Sequence, residues 1–196
     1  MADKPEGLLS VPGRGEDKQD CVAARVKCMF PDALIVHRLD MATSGLFLMA
    51  RGVEVQRKLS IAFAGRDVHK RYVAVVDGLL REDEGTIDLP LIADWPNRPR
   101  QMVDHERGKP SLTHWRVLHR EVPARTTRVE LEPITGRSHQ LRVHLSSIGY
   151  PILGDALYAP PRVQSAAPRL MLHATRLELT HPATGEAITF DSPAPF

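Results

Sequence analysis

Apolar residues recur every three to four positions in three parts of this 196-residue chain. That spacing puts them on one side of a helix, so it predicts three amphipathic helices. Asp20 and Ser138 are the predicted N-cap residues of the first and third helices, and a glycine or proline follows each helix. The first helix is predicted at residues 21–30. The second has its apolar face at Val55, Leu59, Ala62 and Phe63 and ends before Gly65, and the third follows Ser138 and ends before Gly149.

Strands are predicted by two other patterns. Uninterrupted apolar runs at 46–50 and 72–76 are typical of buried strands. Apolar and polar residues alternate at 112–118, at 128–132 and on both sides of a turn at 182–185, which predicts half-buried strands and a C-terminal hairpin. No repeat or linker interrupts the chain, so we predict a single α+β domain around a mixed, largely antiparallel β-sheet flanked by helices and loops.

Composition excludes several classes of protein. The 26 Lys and Arg against 24 Asp and Glu give a net charge of +2, which excludes a strongly basic nucleic-acid coat. There is no apolar run of membrane-spanning length and no apolar leader, so we expect a cytoplasmic protein. Cys21 and Cys28 fit neither a disulfide framework nor a zinc knuckle, and the nine His are dispersed, so no metal site is expected.

The charge is uneven along the chain. Residues 77–94 hold six acids and one base, a local net of −5, whereas residues 98–142 hold ten bases and five acids, a net of +5. Nine of those ten bases are Arg, which binds phosphates bidentately and stacks on nucleic-acid bases. Two interpretations stay open at this point: an ordinary solvated surface, or a nucleic-acid surface beside an active site.

One short segment, 37–45, places a carboxylate at a turn that leads into a strand. It places Asp40 between Arg38 and a Thr-Ser-Gly turn, directly before a predicted buried strand. A nearby cation and hydrogen-bond donors can keep such a carboxylate ionised. The residues alone do not separate a catalytic Asp from a turn Asp that bonds its own backbone. A nucleophile elbow, a zinc-protease helix and a phosphate-binding loop are all absent from the sequence.

Two long blocks carry a family resemblance. The block HRLDMATSG at 37–45 and the block PITGRSHQLRVH at 133–144 resemble the signatures of the RluA family of pseudouridine synthases. The likeness continues through 149–155 and 170–174, so it covers nearly the whole chain. The stretch at 89–99 is most similar to the small family members that modify both 23S ribosomal RNA and transfer RNA.

The resemblance implies an RNA isomerase with the pseudouridine synthase fold. It implies that Asp40 is the catalytic carboxylate, that Tyr72 packs against the target base and that Arg142 ion-pairs the carboxylate. Arg38 would fill the gap left by a flipped uridine, and Leu172 would line the pocket. The residues implied to bind substrate RNA are Arg38, His37, Thr43, Arg137, His139, Gln140 and Leu172.

Each of these roles has a plainer alternative that the residues leave open. Tyr72 and Leu172 would serve equally well as core residues, Arg142 as a solvated helix residue and Arg38 as one half of a salt bridge. A second possible function is an RNA-binding or folding factor that has lost activity, and the complete set of Asp40, Tyr72 and Arg142 argues against it. A hydrolase built on Ser138 is a more remote alternative, because no nucleophile elbow surrounds it.

The implied chemistry needs no metal and no cofactor. The reaction breaks the N1–C1′ bond of uridine, turns the uracil and joins C5 to C1′. It involves no redox change and adds no atoms. An ionised carboxylate can act as a nucleophile at C1′ or C6, or as a base at C2′. The implied partner is RNA, a transfer RNA anticodon stem-loop and/or 23S ribosomal RNA, bound by a monomer through a flipped-out uridine.

The first residues depart from the family pattern. Family members begin with an apolar strand that runs into Asn-Lys-Pro-x-Gly, whereas this chain begins with the sequence MADKPEG. We therefore expect the N-terminal strand to be missing, which would leave one sheet neighbour unpaired. We also expect no separate N-terminal RNA-binding module, so the catalytic domain itself would select the substrate.

Overall fold

The computed structural model describes all 196 residues. The α+β class with a mostly antiparallel arrangement of strands is confirmed. None of the helices is long and apolar enough to span a membrane. The strands are β1 (Ala2–Lys4), β2 (Ala33–Ile35), β3 (Ser44–Phe47), β4 (Met49–Arg51), β5 (His69–Asp77), β6 (Glu84–Asp88), β7 (Leu91–Ala93), β8 (Gln101–Val103), β9 (Leu112–Glu121), β10 (Thr126–Pro133), β11 (Leu172–Thr180) and β12 (Ala187–Asp191). The helices are α1 (Val22–Met29), α2 (Val53–Gly65), α3 (Gln140–Ser147) and the short α4 (Pro161–Gln164), with a 3₁₀ turn at Glu16–Lys18.

The chain divides into two compact units, Met1–Lys70 with His173–Pro195, and Arg71–Leu172 with Phe196. In the first unit, β3 pairs antiparallel with β1 and parallel with β11, and β11 pairs antiparallel with β12. The β11–β12 pair is the predicted C-terminal hairpin, with Leu177 opposite Phe190. One buried cluster of this unit is entirely aliphatic: Leu46, Leu48, Ala50, Leu59, Val68, Leu177 and Leu179. Phe47 on β3 is also completely buried.

The second unit is built on four antiparallel strands in the order β5, β10, β9 and β6. The alternation predicted for residues 128–132 is confirmed, since Val129 and Leu131 are completely buried whereas Arg128, Glu130 and Glu132 are only half-buried. Strands β7 and β8 form a separate antiparallel pair. A second apolar cluster of Leu153, Ala159 and Val163 packs near α4.

The N-terminal strand is present, so the expectation that it is missing was wrong. Residues Ala2–Lys4 form β1, with Ala2 opposite Phe47 and Lys4 opposite Gly45 on β3. The Lys4 side chain is 1% exposed, and its ammonium group donates to the carbonyls of Pro5, Leu8 and Met41. Three residues therefore suffice to pair this edge of β3, because a buried lysine fastens them to the neighbouring loops.

The single strand predicted at 46–50 is in fact two. Strand β3 ends at Phe47 and β4 begins at Met49, so Leu48 separates them. The two strands have different partners, since β4 pairs antiparallel with β2 while β3 pairs with β1 and β11. At the break, the backbone N–H of Leu48 donates to Nε2 of His37 at 2.8 Å. A side chain thus replaces the strand partner that Leu48 lacks.

Both predicted N-cap residues lie one position too early. In α1, the sulfur of Cys21 accepts the N–H of Ala24 at 3.3 Å, whereas Asp20 forms an ion pair with Arg25 at 2.7 Å. In α3, His139 takes the N-cap position with a left-handed backbone, φ +54°, and caps no N–H with its side chain. Tertiary contacts determine where these two helices begin. They outweigh the general preference of Asp and Ser for the N-cap position.

Candidate active site

The segment that carries Asp40 is clamped by a serine. The hydroxyl of Ser10 accepts the N–H of Leu39 at 3.0 Å and donates to its carbonyl at 2.7 Å. Leu39 is buried, whereas Arg38 is exposed and Asp40 is half-buried. Both polar side chains thus project from backbone that has little freedom to move.

The turn that follows Asp40 is also fixed at several points. The carbonyl of Asp40 accepts the N–H of the buried Thr43 at 3.1 Å, which closes the turn. The next carbonyl, that of Met41, accepts from the Lys4 ammonium at 2.8 Å and from the N–H of Gly7 at 3.0 Å. The backbone that carries the Asp40 carboxylate is therefore fixed before any substrate binds, which lowers the entropic cost of positioning this group for reaction.

The end of the motif packs too closely for any side chain. Gly45 has φ +109°, and a Cβ there would lie 2.3 Å from the carbonyl oxygen of Ala174 on β11. Beside it, Ser44 Oγ lies 2.8 Å from His173 Nδ1, and His173 Nε2 lies 3.0 Å from Ser192 Oγ. The Thr-Ser-Gly part of the motif therefore joins the catalytic turn to the sheet.

His37 is held inside the first unit. Its ring stacks on Phe63 with centroids 4.7 Å apart, and its Nε2 accepts the N–H of Leu48. Burial, together with the charge of Lys70, lowers the pKa of His37 to about 3, so the ring is neutral at physiological pH. These contacts support a structural role for His37 beside the RNA-binding role that the resemblance implies.

Arg142 lies in the second unit and is not a solvated helix residue. It is 4% exposed and forms a bidentate ion pair with the buried Asp155. Its Nε donates to Oδ2 at 2.8 Å and its Nη2 donates to Oδ1 at 2.6 Å. Parallel bonds of this kind fix the plane of the guanidinium as well as its position.

Gln140 has both ends of its amide occupied by protein groups. Its Oε1 accepts from the Thr135 hydroxyl at 2.7 Å and from the N–H of Arg137 at 3.0 Å. Its Nε2 donates to the carbonyl of Leu112 at 2.9 Å and to Thr113 Oγ1 at 3.0 Å. With 4% exposure, Gln140 anchors the start of α3 to β9 and β10 in this conformation.

The remaining predicted residues of the second unit differ in exposure. Tyr72 on β5 is half-buried and stands opposite Leu131, while Leu172 is 3% exposed at the start of β11. Arg137 is exposed, with Nε 3.3 Å from the carbonyl of Pro110. His139 is half-buried, with Nδ1 2.6 Å from the hydroxyl of Tyr158.

The bases of the segment 98–142 fall into two groups. Arg107, Arg116, Arg120 and Arg142 form ion pairs with carboxylates, and Arg128 donates to the terminal residue. The other five are exposed and form no ion pair: Arg98, Arg100, Lys109, Arg125 and Arg137. The guanidinium of Arg98 stacks on the exposed ring of Trp95 at 4.0 Å. Five of the ten bases thus bond to groups of the protein, and five are exposed without an ion pair.

Sequence reasoning missed the residues that hold the predicted ones in place. Ser10 and Lys4 secure the Asp40 turn, and Asp155 and Tyr158 contact Arg142. Two of them carried a signal, because Asp155 lies in a block of family resemblance and Lys4 stands at the lysine of the family pattern Asn-Lys-Pro-x-Gly, although no role was attached to either. No group of three or more His, Cys, Asp or Glu side chains is placed to hold a metal ion.

Comparison with known proteins gives one consistent family. The model of the RNA pseudouridylate synthase family matches residues 1–147. The dual-specificity RNA pseudouridine synthase RluA of Escherichia coli K12 is 52% identical over the whole chain and 89% of its own length. The Yersinia pestis protein of the same name is 51% identical over the whole chain and 95% of its length.

Solved structures agree with this result. Human RNA pseudouridylate synthase domain containing 1 superposes with a TM-score of 0.78 at 28% identity, covering 100% of this chain and 87% of that one. Domain containing 4 gives 0.77 at 26% identity, covering 98% of this chain and 84% of that one. The chain therefore belongs to the RNA pseudouridylate synthase family and is an RNA pseudouridine synthase, an isomerase that acts on uridine in RNA.

Proposed function

We propose that Asp40 is the catalytic carboxylate of this isomerase and that its substrates are transfer RNA and 23S ribosomal RNA. The observation that carries the proposal is the clamped turn of Asp40, in which Ser10, Lys4 and Thr43 hold the backbone on both sides of a half-buried carboxylate. The identity of 52% to a dual-specificity synthase over the whole chain supports the two classes of RNA.

The proposed reaction moves one glycosidic bond. The N1–C1′ bond of the target uridine breaks, the uracil turns and C5 bonds to C1′. The proton at C5 then leaves to solvent and N1 takes up a proton, so that the product is an isomer of uridine. Asp40 serves as nucleophile or base in this sequence. Following the family resemblance, Arg142 ion-pairs this carboxylate and Tyr72 packs against the target base. Arg38, exposed two residues before Asp40, takes the place of the flipped base.

The RNA must open to expose its uridine. Extruding a base costs about a few kcal/mol, and contacts between phosphates and exposed arginines offset that cost. We place these contacts on the five exposed bases of segment 98–142 that form no ion pair. The assignments of residues 1–196 to one catalytic domain and of the protein to a monomer stay predictions.

The decisive experiment measures release of tritium from C5-tritiated uridine, since C5 loses its hydrogen when it bonds to C1′. Asp40→Asn should lower the rate by at least about 100-fold on both RNA classes, because the amide is neither a nucleophile nor a base. Asp32→Asn is the matched control: Asp32 is exposed, lies in the same unit and pairs only with Arg51. Full activity of Asp40→Asn would refute the role of Asp40.

The two substrates are tested separately. Anticodon stem-loops of transfer RNA and fragments of 23S ribosomal RNA are assayed in parallel with the same enzyme. Release from only one of them would reduce the proposal to a single substrate class. Binding of both without release by the wild-type chain would indicate an RNA-binding factor without activity, and would overturn the proposal.

A further inference from the structure

Asp155 is a buried carboxylate that faces Arg142 directly. Its two oxygens accept from Nε and Nη2 of Arg142 at 2.8 and 2.6 Å, and its side chain is 1% exposed. The pair lies within the second unit and joins α3 to the turn at 155–159. No other base of segment 98–142 has a carboxylate partner so deeply buried.

The carboxylate is itself fixed by its own turn. Oδ1 of Asp155 also accepts the N–H of Leu157 at 2.9 Å and that of Tyr158 at 3.1 Å. The preceding residue, Gly154, has φ +74°, and a Cβ there would lie 1.8 Å from the carbonyl oxygen of Arg169. Only glycine allows this close approach, so the position of Asp155 is set by packing against a distant part of the unit.

The same turn brings an aromatic ring to the guanidinium. The ring of Tyr158 lies 5.1 Å from Cζ of Arg142. Its hydroxyl accepts the N–H of Gln101 at 2.8 Å and lies 2.6 Å from Nδ1 of His139, so the ring is held at its outer end. Arg142 is therefore fixed along one edge by Asp155 and beside its guanidinium by Tyr158, which determines where its remaining N–H groups point.

Stability alone is a weak reason for such an arrangement. Burying a carboxylate and a guanidinium costs desolvation energy that their attraction only roughly repays, and apolar residues of similar size often serve a core equally well. An arginine that must present its charge in one direction during a reaction does need a fixed partner.

We propose that Asp155 is a positioning residue for the isomerisation: it holds the guanidinium of Arg142 in the orientation that the reaction requires. The proposal rests on the catalytic role of Arg142 stated above. Asp155 touches neither the substrate nor the reacting atoms in this scheme; it acts through Arg142. Its loss should therefore lower the rate of reaction and leave RNA binding unchanged.

The first test is Asp155→Asn, which keeps the shape of the side chain and removes its charge. We expect kcat for tritium release to fall about 100-fold, the loss typical of a misplaced catalytic group, and KM to stay within about threefold of wild type. Asp77→Asn is the matched control, since Asp77 lies in the same unit and pairs with the exposed Arg162 at 2.6 Å. Wild-type kcat in Asp155→Asn would overturn the proposal.

A double-mutant cycle separates positioning from a purely structural role. Arg142→Lys keeps the charge but loses the bidentate geometry, so it should lower kcat by a similar factor. Adding Asp155→Asn to Arg142→Lys should then lower kcat by less than about threefold, because Asp155 acts through the group already changed. If kcat of the double variant fell by the product of the two single-variant factors, the proposal would be contradicted. In the control cycle, the separate effects of Asp77→Asn and Arg142→Lys on kcat should multiply, which means that the two positions are not coupled.

Folding and the proposed function are checked independently. If Asp155→Asn lacks the wild-type circular dichroism spectrum, Asp155→Glu replaces it in the cycle, since it retains the charge but displaces it by one methylene. An inactive Asp40→Asn together with a fully active, folded Asp155 variant overturns the positioning role alone. An active Asp40→Asn overturns the proposed function instead.

Discussion

At the scale of single residues, the environment of a side chain decides its chemistry. His37 precedes the proposed catalytic Asp by three positions, yet its ring packs on Phe63 and accepts a backbone N–H, and burial lowers its pKa to about 3. Arg142, which could have been a solvated helix residue, is 4% exposed in a bidentate pair. The same residue types on a surface would be ordinary charged groups.

The lowered pKa of His37 makes the folded state sensitive to acid. Below pH 6.5 the unfolded chain binds a proton at this ring while the folded chain does not, so stability falls as pH falls towards about 3. Between pH 6.5 and 5 this residue alone should remove up to about 2 kcal/mol from the free energy of unfolding. Urea unfolding of the wild type at both pH values measures the loss.

A variant that does not titrate isolates the contribution of His37. In His37→Gln the amide oxygen can still accept the N–H of Leu48, so this variant should lose less stability between the two pH values than the wild type. His105→Gln replaces an exposed histidine and should leave the wild-type pH dependence unchanged. Equal slopes for His37→Gln and the wild type would contradict the assignment.

At the scale of elements, α3 owes its position to side chains more than to its own helix signals. Its predicted cap residue, Ser138, lies outside the helix, and His139 takes the N-cap position with a left-handed backbone. Gln140 instead ties the first turn to Leu112 and Thr113 on β9 and to Thr135. The helix that carries Arg142 is thus located by an amide with four protein partners.

Gln140→Glu should therefore lower the stability of the folded protein, and this loss should be its main effect rather than a change in RNA binding. A carboxylate can still accept from Thr135 and Arg137, but it cannot donate to Leu112, so the loss should be about 2 to 4 kcal/mol in the free energy of unfolding. Chemical denaturation gives the value, and Gln19→Glu, at an exposed position, should change it by less than about 0.5 kcal/mol. A raised KM for RNA with unchanged stability would instead indicate the RNA contact implied by the family resemblance.

At the scale of the whole molecule, the net charge of +2 hides a local basic surface. Half of the bases in segment 98–142 bond to groups of the protein, and the five exposed bases without ion pairs are the proposed contacts to RNA phosphates. An enzyme that must release its RNA after each reaction needs such a restricted surface more than a generally basic one. On this hypothesis, the salt dependence of RNA binding arises from these five side chains.

The double variant Arg98→Ala with Arg100→Ala tests whether these exposed bases bind RNA phosphates. Removing two phosphate contacts should weaken RNA binding and reduce the slope of log affinity against log salt by about 1.4 to 1.8. Filter binding across a series of salt concentrations measures the slope. Arg25→Ala with Arg57→Ala is the matched control, because both side chains are exposed and paired with Asp20 and Glu54. Identical slopes for the two double variants would place the RNA contacts elsewhere.

The sequence by itself determined the α+β class, the C-terminal hairpin, the family and the kind of reaction. These follow from periodicities and contiguous motifs, such as the blocks at 37–45 and 133–144, which are properties of neighbours along the chain. Element boundaries were less certain: the strand at 46–50 is two strands, and the first three-residue strand was expected to be missing.

Only the tertiary structure decided how the predicted residues are held. Arg142 meets Asp155 thirteen positions further on, Gln140 meets Leu112 twenty-eight positions earlier, and Leu39 meets Ser10 across twenty-nine. No local pattern encodes such pairs, because each depends on which distant segments the fold brings together. Burial then sets their strength, since a hydrogen bond or ion pair removed from water is more costly to leave unmade than the same pair on the surface.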